Sequence, residues 1–289
     1  MNTPIVYLNG EFLPADQAKV SVLDRGFVFG DGVYEVIPAF GGHLFRLGQH
    51  LDRLDRSLAG IRLENPLPRA QWISVLEEVV RRNQSGSADL SVYLQITRGV
   101  AKRDHGFPPG VPATVLVMCN PIGPLPAATL EHGVAAITLD DIRWLHCNIK
   151  AITLLPNILL RQQALDSGAV EAILIRDGIV TEGAASNVFM VKDGVLRTPP
   201  VGPRLLPGIT RDLVVELAHA NGIPCDEAEF RVADLRAADE IWLTSSTKEI
   251  LPVTQLDGAV VGTGTPGSLW RHMFDLYQDY KSTLRASAA

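Results

Sequence analysis

Leucine and isoleucine recur at positions 47, 51, 54, 58 and 61 with polar residues between them, the spacing of an amphipathic helix starting after Arg46. Similar periodicity predicts helices over 70–82 and 153–166, the latter with Pro156 confined to its first turn, where a missing N–H costs little. A fourth helix opens at Gly208-Ile209-Thr210, buries Leu213, Leu217 and Ala218, and closes at Asn221-Gly222; a last one begins near Ser268. Short apolar runs at 90–97, 114–119, 172–175 and 241–244 read as strands. Asn9-Gly10 separates the strand-like runs Ile5-Val6-Tyr7-Leu8 and Glu11-Phe12-Leu13, and Asp-Gly pairs recur at 177, 193 and 257. Such pairs favour type I′ hairpin turns, because both residues adopt positive φ readily. The expected fold is therefore α+β, with antiparallel-rich sheets flanked by helices, in two domains. Residues 1–120 form a small N-terminal α+β domain, 134–289 a larger C-terminal one, and the stretch 121–133 with its three prolines the linker.

Composition narrows the function. A chain of 289 residues with 46% hydrophobic and 20% charged positions is ordinary globular material for such domains. Its net charge of −6 is scattered, which excludes the basic stripe of a nucleic-acid binder. Three widely spaced cysteines and seven dispersed histidines argue against a disulfide framework or a zinc site. No signal-like N-terminus and no span-length apolar run is visible, so a soluble cytoplasmic protein is expected.

Among six lysines, Lys150 sits in the apolar run Ile149-Lys150-Ala151-Ile152. Desolvation favours a neutral amine, the form that Schiff-base chemistry needs, but taken alone a lysine that packs its stem and snorkels is the better reading. Glu182 follows a hairpin strand, where a carboxylate serves to keep a pyridinium nitrogen protonated or simply lies in an exposed turn. Gly208-Ile209-Thr210 at a helix start and Thr244-Ser245-Ser246-Thr247 after a strand offer amides and hydroxyls to a phosphate. Arg53, one turn from His50, offers the charge. Each also reads as a cap, a turn or a solvated face.

Together these segments resemble the fold type IV family of pyridoxal-phosphate enzymes. The resemblance is carried by Asp24-Arg25-Gly26-Phe27-Val28-Phe29-Gly30-Asp31-Gly32-Val33-Tyr34-Glu35, His50-Leu51-Asp52-Arg53-Leu54, Asp141-Ile142-Arg143-Trp144 and Ile149-Lys150. Thr181-Glu182-Gly183, Ser186-Asn187-Val188-Phe189, Gly208-Ile209-Thr210-Arg211-Asp212 and Thr244-Ser245-Ser246-Thr247-Lys248-Glu249 continue it in order. It implies that the C-terminal domain binds pyridoxal 5′-phosphate. Lys150 would bond the cofactor covalently and shuttle the α-proton, and Glu182 would pair with the ring nitrogen. Arg53, Ile209, Thr210, Ser245 and Ser246 would hold the phosphate, and Leu206 would lie against the ring.

The loop from Thr97 to Pro108 resembles one in D-amino acid aminotransferases, where an Arg-x-His pair from the partner subunit captures the α-carboxylate. That pair works there with a tyrosine; Arg103, His105 and Tyr34 match all three. The implied activity is two-step transamination between D-amino acids and 2-oxo acids by a homodimer with a shared active site. L-branched-chain or (R)-amine transamination and aminodeoxychorismate lyase activity are alternatives of the same fold. A non-catalytic carrier of the cofactor would not need the Arg-x-His pair. Two departures stand out. Ala184 and Ala185 replace serines expected there, a loss of hydroxyls that would either weaken phosphate or substrate contacts or alter which side chains are accepted, and His146 and Asn148 are unexpected beside the lysine.

Overall fold

The computed structural model describes residues 3–84 and 88–286 and divides the chain into two compact units. The first holds residues 1–123, 149–153 and 283–289; the second holds 124–148 and 154–282. The division at 123/124 falls within the tract 121–133 expected as a linker, which carries the end of a strand and a short helix, and the lysine segment belongs to the first unit rather than to the C-terminal one.

The first unit contains strands β1 (Ile5–Leu8), β2 (Glu11–Pro14), β3 (Gly32–Phe40), β4 (His43–Leu44), β5 (Asp89–Thr97) and β6 (Thr114–Ile122). Its helices are α1 (Arg25–Phe29), α2 (Leu47–Gly60) and α3 (Arg69–Asn83). The strands form one antiparallel sheet in the order β2-β1-β6-β5-β3-β4. Register aligns Val33 with Ile96 and Val115, and Ile37 with Val92 and Cys119, so alternate residues make one apolar face. Leu51, Leu54 and Leu58 of α2 and Trp72, Val75, Leu76 and Val79 of α3 pack on that face. The leucine spacing of α2 is thus the imprint of this core.

Strand β4 pairs only with Ala39 and Phe40 at the far end of β3. The edge of β3 at Gly32–Tyr34 remains, and residues 150–152 occupy it. Tyr34 N–H donates to Lys150 O (2.9 Å) and Ile152 N–H to Gly32 O (3.1 Å), with Ala151 bridged to Val33. A Cβ on Gly32 would lie 2.5 Å from Ile96 O and 3.1 Å from Thr97 Cα, so a glycine here lets the start of β3 close on β5.

The second unit contains α4 (Ala127–His132), β7 (Val134–Asp140), α5 (Leu155–Asp166), β8 (Glu171–Arg176), β9 (Ile179–Gly183), β10 (Asn187–Lys192) and β11 (Val195–Thr198). It continues with α6 (Ile209–Ala220), β12 (Cys225–Glu227), α7 (Val232–Arg236), β13 (Glu240–Ser245), β14 (Glu249–Leu256), β15 (Ala259–Val260) and α8 (Ser268–Ala286), whose last residues belong to the first unit. The sheet order is β12-β11-β10-β13-β14-β7-β8-β9, with β15 added on β14. All four predicted turns have positive φ at both residues: 50° and 104° at Asn9-Gly10, and 50–55° then 77–80° at the three Asp-Gly pairs. Strands β7 and β8 are parallel, so their connection must cross over the sheet. That crossover carries Asp141, Arg143, Lys150 and α5. Helix α5 starts at Leu155, two residues later than its periodicity suggests, with Pro156 in its first turn.

Leu54 is 1% exposed at the centre of the first core. Replacing it by alanine should lower the unfolding free energy in urea by about 2–5 kcal/mol. A loss below about 1 kcal/mol would contradict the close packing of α2 on this sheet.

Candidate active site

In the first unit, antiparallel pairing puts Lys150 and Tyr34 on the sheet face opposite the helices. Lys150 Nζ lies 4.1 Å from the centre of the Tyr34 ring, and Lys150 N–H donates to Ser57 Oγ (3.2 Å). Tyr93 and Gln95 of β5 share that face: the Tyr34 and Tyr93 rings are 5.7 Å apart, and Tyr93 OH donates to Gln95 Oε1 (2.6 Å). Burial, then Tyr34, pushes the Tyr93 phenol up to about 12. Neither Tyr93 nor Gln95 carries a sequence signal, since only strand register reveals them as neighbours of Tyr34.

Arg53 is 2% exposed and points into the unit rather than to water. Its Nε and Nη2 fork onto Glu35 at 2.8 and 2.7 Å, and His50 Nδ1 lies 2.7 Å from Glu35 Oε2. Burial alone would raise the Glu35 pKa, but Arg53 and then His50 outweigh it and hold the carboxylate well below its usual range. Burial depresses His50. The imidazole is therefore neutral, donates through Nδ1, and leaves its buried Nε2 without a hydrogen-bond partner.

Arg103 and His105 lie on the exposed loop after β5. They flank one aromatic ring: the Arg103 guanidinium is 5.3 Å and the His105 ring 5.4 Å from the centre of Phe29. Among the described residues neither has an ion-pair or hydrogen-bond partner. Both remain available to a carboxylate.

In the second unit, Glu182, the penultimate residue of β9, is 4% exposed and accepts from three directions. Arg143 Nη1 bonds Oε1; Leu206 N–H and Asn187 Nδ2 bond Oε2 at 3.0 and 3.2 Å. Asn187 Nδ2 also reaches Leu206 O (2.9 Å), stitching the half-buried Leu206 beside the carboxylate. Arg143 is itself held by both oxygens of Asp141 (2.9 Å each), and Asp141 also accepts from Thr181 (3.1 Å) and Arg176 (3.0 Å). Burial pushes the Glu182 carboxyl up to about 7, with Arg143 opposing only in part. Asp141, Arg143 and Asn187 stand in the quoted motifs without a role assigned there; their spacing from Glu182 along the chain gives no cue to it.

Ile209 and Thr210 open α6, whose cap Gly208 makes no side-chain cap bond. A Cβ on Gly208 would meet Asn187 Oδ1 at 1.9 Å, so the helix start abuts the Glu182 network. Asn187 is paired across the sheet with Thr244 of β13, which brings Ser245 and Ser246 to the same end. Ser245 Oγ accepts from Lys248 N–H (3.3 Å), and Ser246 is half-buried. The hydroxyls of Thr210 and Thr244 are buried without a hydrogen-bond partner. Unsatisfied buried hydroxyls beside an uncapped helix start fit a phosphate.

Ala184 is 3% exposed within an apolar cluster with Leu160, Ala164, Ala172 and Leu174, and Ala185 is exposed. A serine hydroxyl at 184 would enter that cluster. His146 is exposed and rests edge-on against Trp144.

Residues 32–256 match the family model described as amino-transferase class IV. D-alanine aminotransferase from Bacillus licheniformis is 43% identical over 93% of this chain and 94% of its own length. That from Staphylococcus haemolyticus is 41% identical over 95% and 97%. Among solved structures, branched-chain amino acid aminotransferase from Escherichia coli superposes with a TM-score of 0.91 at 30% identity, over 96% of this chain and 94% of the other. The branched-chain enzyme from T.th., solved with pyridoxamine 5′-phosphate, gives 0.92 at 28% identity over 98% and 95%.

Cofactor-free protein provides a test of the Glu182 environment. A carboxyl at about 7 rather than 4.5 stabilises the fold at low pH, and that contribution is lost as pH rises through about 7, because the unfolded chain ionises first. Glu182→Gln cannot ionise. In urea unfolding, wild type should therefore lose a few kcal/mol relative to the variant between about pH 5 and 8, since each tenfold difference in proton affinity between the folded and unfolded chain is worth about 1.4 kcal/mol. Parallel stability curves would contradict the buried, partly compensated carboxyl.

Proposed function

The chain belongs to the class IV aminotransferases, and on that premise we propose that it transfers amino groups between D-amino acids and 2-oxo acids, D-alanine and 2-oxoglutarate being one such pair. The observation that carries the substrate class is the exposed Arg103–His105 pair around Phe29, together with about 40% identity to D-alanine aminotransferases over nearly the whole chain.

The family's cofactor, pyridoxal phosphate, supplies an electron sink that loosens the substrate Cα–H bond. Lys150 would hold it covalently and, once released, carry the α-proton on Nζ. The sheet pairing of residues 150–152 fixes the backbone from which that side chain extends, which limits the rearrangement each proton transfer requires. Glu182 would pair with the ring nitrogen, and its three donors fix the direction of its carboxylate. Leu206 would line the ring, and Ile209, Thr210, Ser245 and Ser246 would hold the phosphate by amides and hydroxyls. Arg53 would add a positive charge there from a guanidinium plane already set by Glu35. Arg103, His105 and Tyr34 would receive the α-carboxylate.

The active form is proposed as a homodimer in which Arg103 and His105 serve the partner's site. Leu155, Ile158 and Leu159 of α5 are 55–65% exposed, an apolar face that a second copy would cover. A solution mass of twice 31.3 kDa is expected by light scattering; a monomer active in the assay below would contradict this. No described helix is long and apolar enough to cross a membrane, and three free thiols suit a reducing cytoplasm.

The purified holoenzyme should form pyruvate from D-alanine only when a 2-oxo acid is supplied. Brisk turnover of L-leucine or L-valine with D-alanine inert would identify a branched-chain enzyme. Pyruvate from aminodeoxychorismate without an amino acceptor would identify a lyase.

A further inference from the structure

Beneath the Arg103–His105 loop lies a cluster of charges that the reaction itself does not need. Asp31, between α1 and β3, accepts from Arg25 Nε (2.7 Å) and from Arg98 Nε and Nη2 (2.8 and 3.0 Å). The two arginine side chains are 5% and 6% exposed, and Asp31 is 13% exposed. Beyond the carboxylate, each arginine grips something else. Arg25 Nη1 donates to the carbonyls of Asp104 (2.6 Å) and Gly106 (3.2 Å), the two residues that bracket His105. Its guanidinium also lies 4.9 Å from the centre of the Phe29 ring that Arg103 and His105 flank. Arg98 bonds the carbonyls of Ile61 (2.7 Å) and Arg62 (3.4 Å), and its face covers the ring of Phe107 at 3.7 Å. Asp104 Oδ1 closes the turn by accepting from Gly106 N–H (2.8 Å).

We propose that the Arg25–Asp31–Arg98 triad is the positioning device for the carboxylate-binding loop, setting Arg103 and His105 without touching the substrate. This rests on the reading of Arg103 and His105 as the carboxylate trap. Carbonyls held on both sides of His105 fix the backbone that carries it, and Phe29 receives both the Arg103 guanidinium and the His105 ring. Phe107 pinned under Arg98 ends the loop. Asp31 orients both guanidinium planes at once, and without it two nearly buried cations would face each other. A trap that binds by several directed bonds gains most when its donors are fixed before the substrate arrives. The loop is otherwise exposed, so this anchoring is what holds its geometry.

The test uses holoenzyme carrying Arg25→Lys, which keeps the charge beside Asp31 but replaces the fork by one ammonium unable to serve Asp31 and two carbonyls together. KM for D-alanine should rise about tenfold, the loss of charged hydrogen bonds to the loop, with kcat within about twofold. Cofactor affinity and absorbance should stay unchanged, as should KM for (R)-1-phenylethylamine, an amine without a carboxylate. In an Arg103→Ala, His105→Ala background the same change should have no further effect on KM, because the triad acts only through that pair. Hydrogen exchange of amides 102–107 should quicken in both Arg25→Lys and Asp31→Asn. Unchanged exchange in both, an undiminished KM effect in the double-alanine background, or a matching loss of cofactor affinity would each overturn the proposal. If Arg103→Ala itself leaves KM untouched while exchange quickens, the trap reading falls and the clamp on the loop stands.

Discussion

Three residues of backbone, 150–152, lie against the open edge of β3, and the chemistry proposed for Lys150 depends on that pairing. A lysine on a long crossover would ordinarily wander with its loop. Here Tyr34 N–H and Gly32 O fix the peptide units on either side of Ala151, so the start of the Lys150 side chain is as well defined as a strand position. The arrangement needs a short β4, which leaves the edge of β3 free for residues 150–152. It also explains why the lysine and Tyr34 share a face: antiparallel partners do so by geometry.

Two buried glutamates show how environment divides the labour of one residue type. Glu35 receives a fork from Arg53 and a hydrogen bond from His50 and is held as a carboxylate at any working pH. Its effect is to set the plane of an arginine. Glu182 receives Arg143 as well, but that guanidinium is shared with Asp141, so the charge reaching Glu182 is already half answered. Burial then prevails and the group titrates near neutrality. A carboxyl so poised suits the holding of a protonated ring nitrogen, since the two share a proton without a large mismatch in affinity.

Much of this is legible in the order of residues alone. The Asn-Gly and Asp-Gly turns declare their φ angles through residue type, and the leucines of α2 declare the core they face. Lys150, Glu182 and the start of α6 emerge from motifs whose order is kept along the chain. Other features come from contacts between distant positions. Arg53 reads as a free cation beside His50, whereas the fold ties it to Glu35, 18 residues earlier on another element. Nothing in the pattern around 121–133 distinguishes a proline-rich linker from a strand end followed by α4, because proline is tolerated at both. The triad under the Arg103 loop joins residues 25, 31 and 98, and only the pairing of segment 23–32 with 97–106 brings them together.

Everything proposed for the reaction converges on the amine of Lys150. Holoenzyme reduced with borohydride and digested should yield one phosphopyridoxylated peptide, and fragmentation should place the added mass on Lys150. A label on Lys248, a half-buried lysine whose pKa burial lowers, or on no lysine at all, would contradict it.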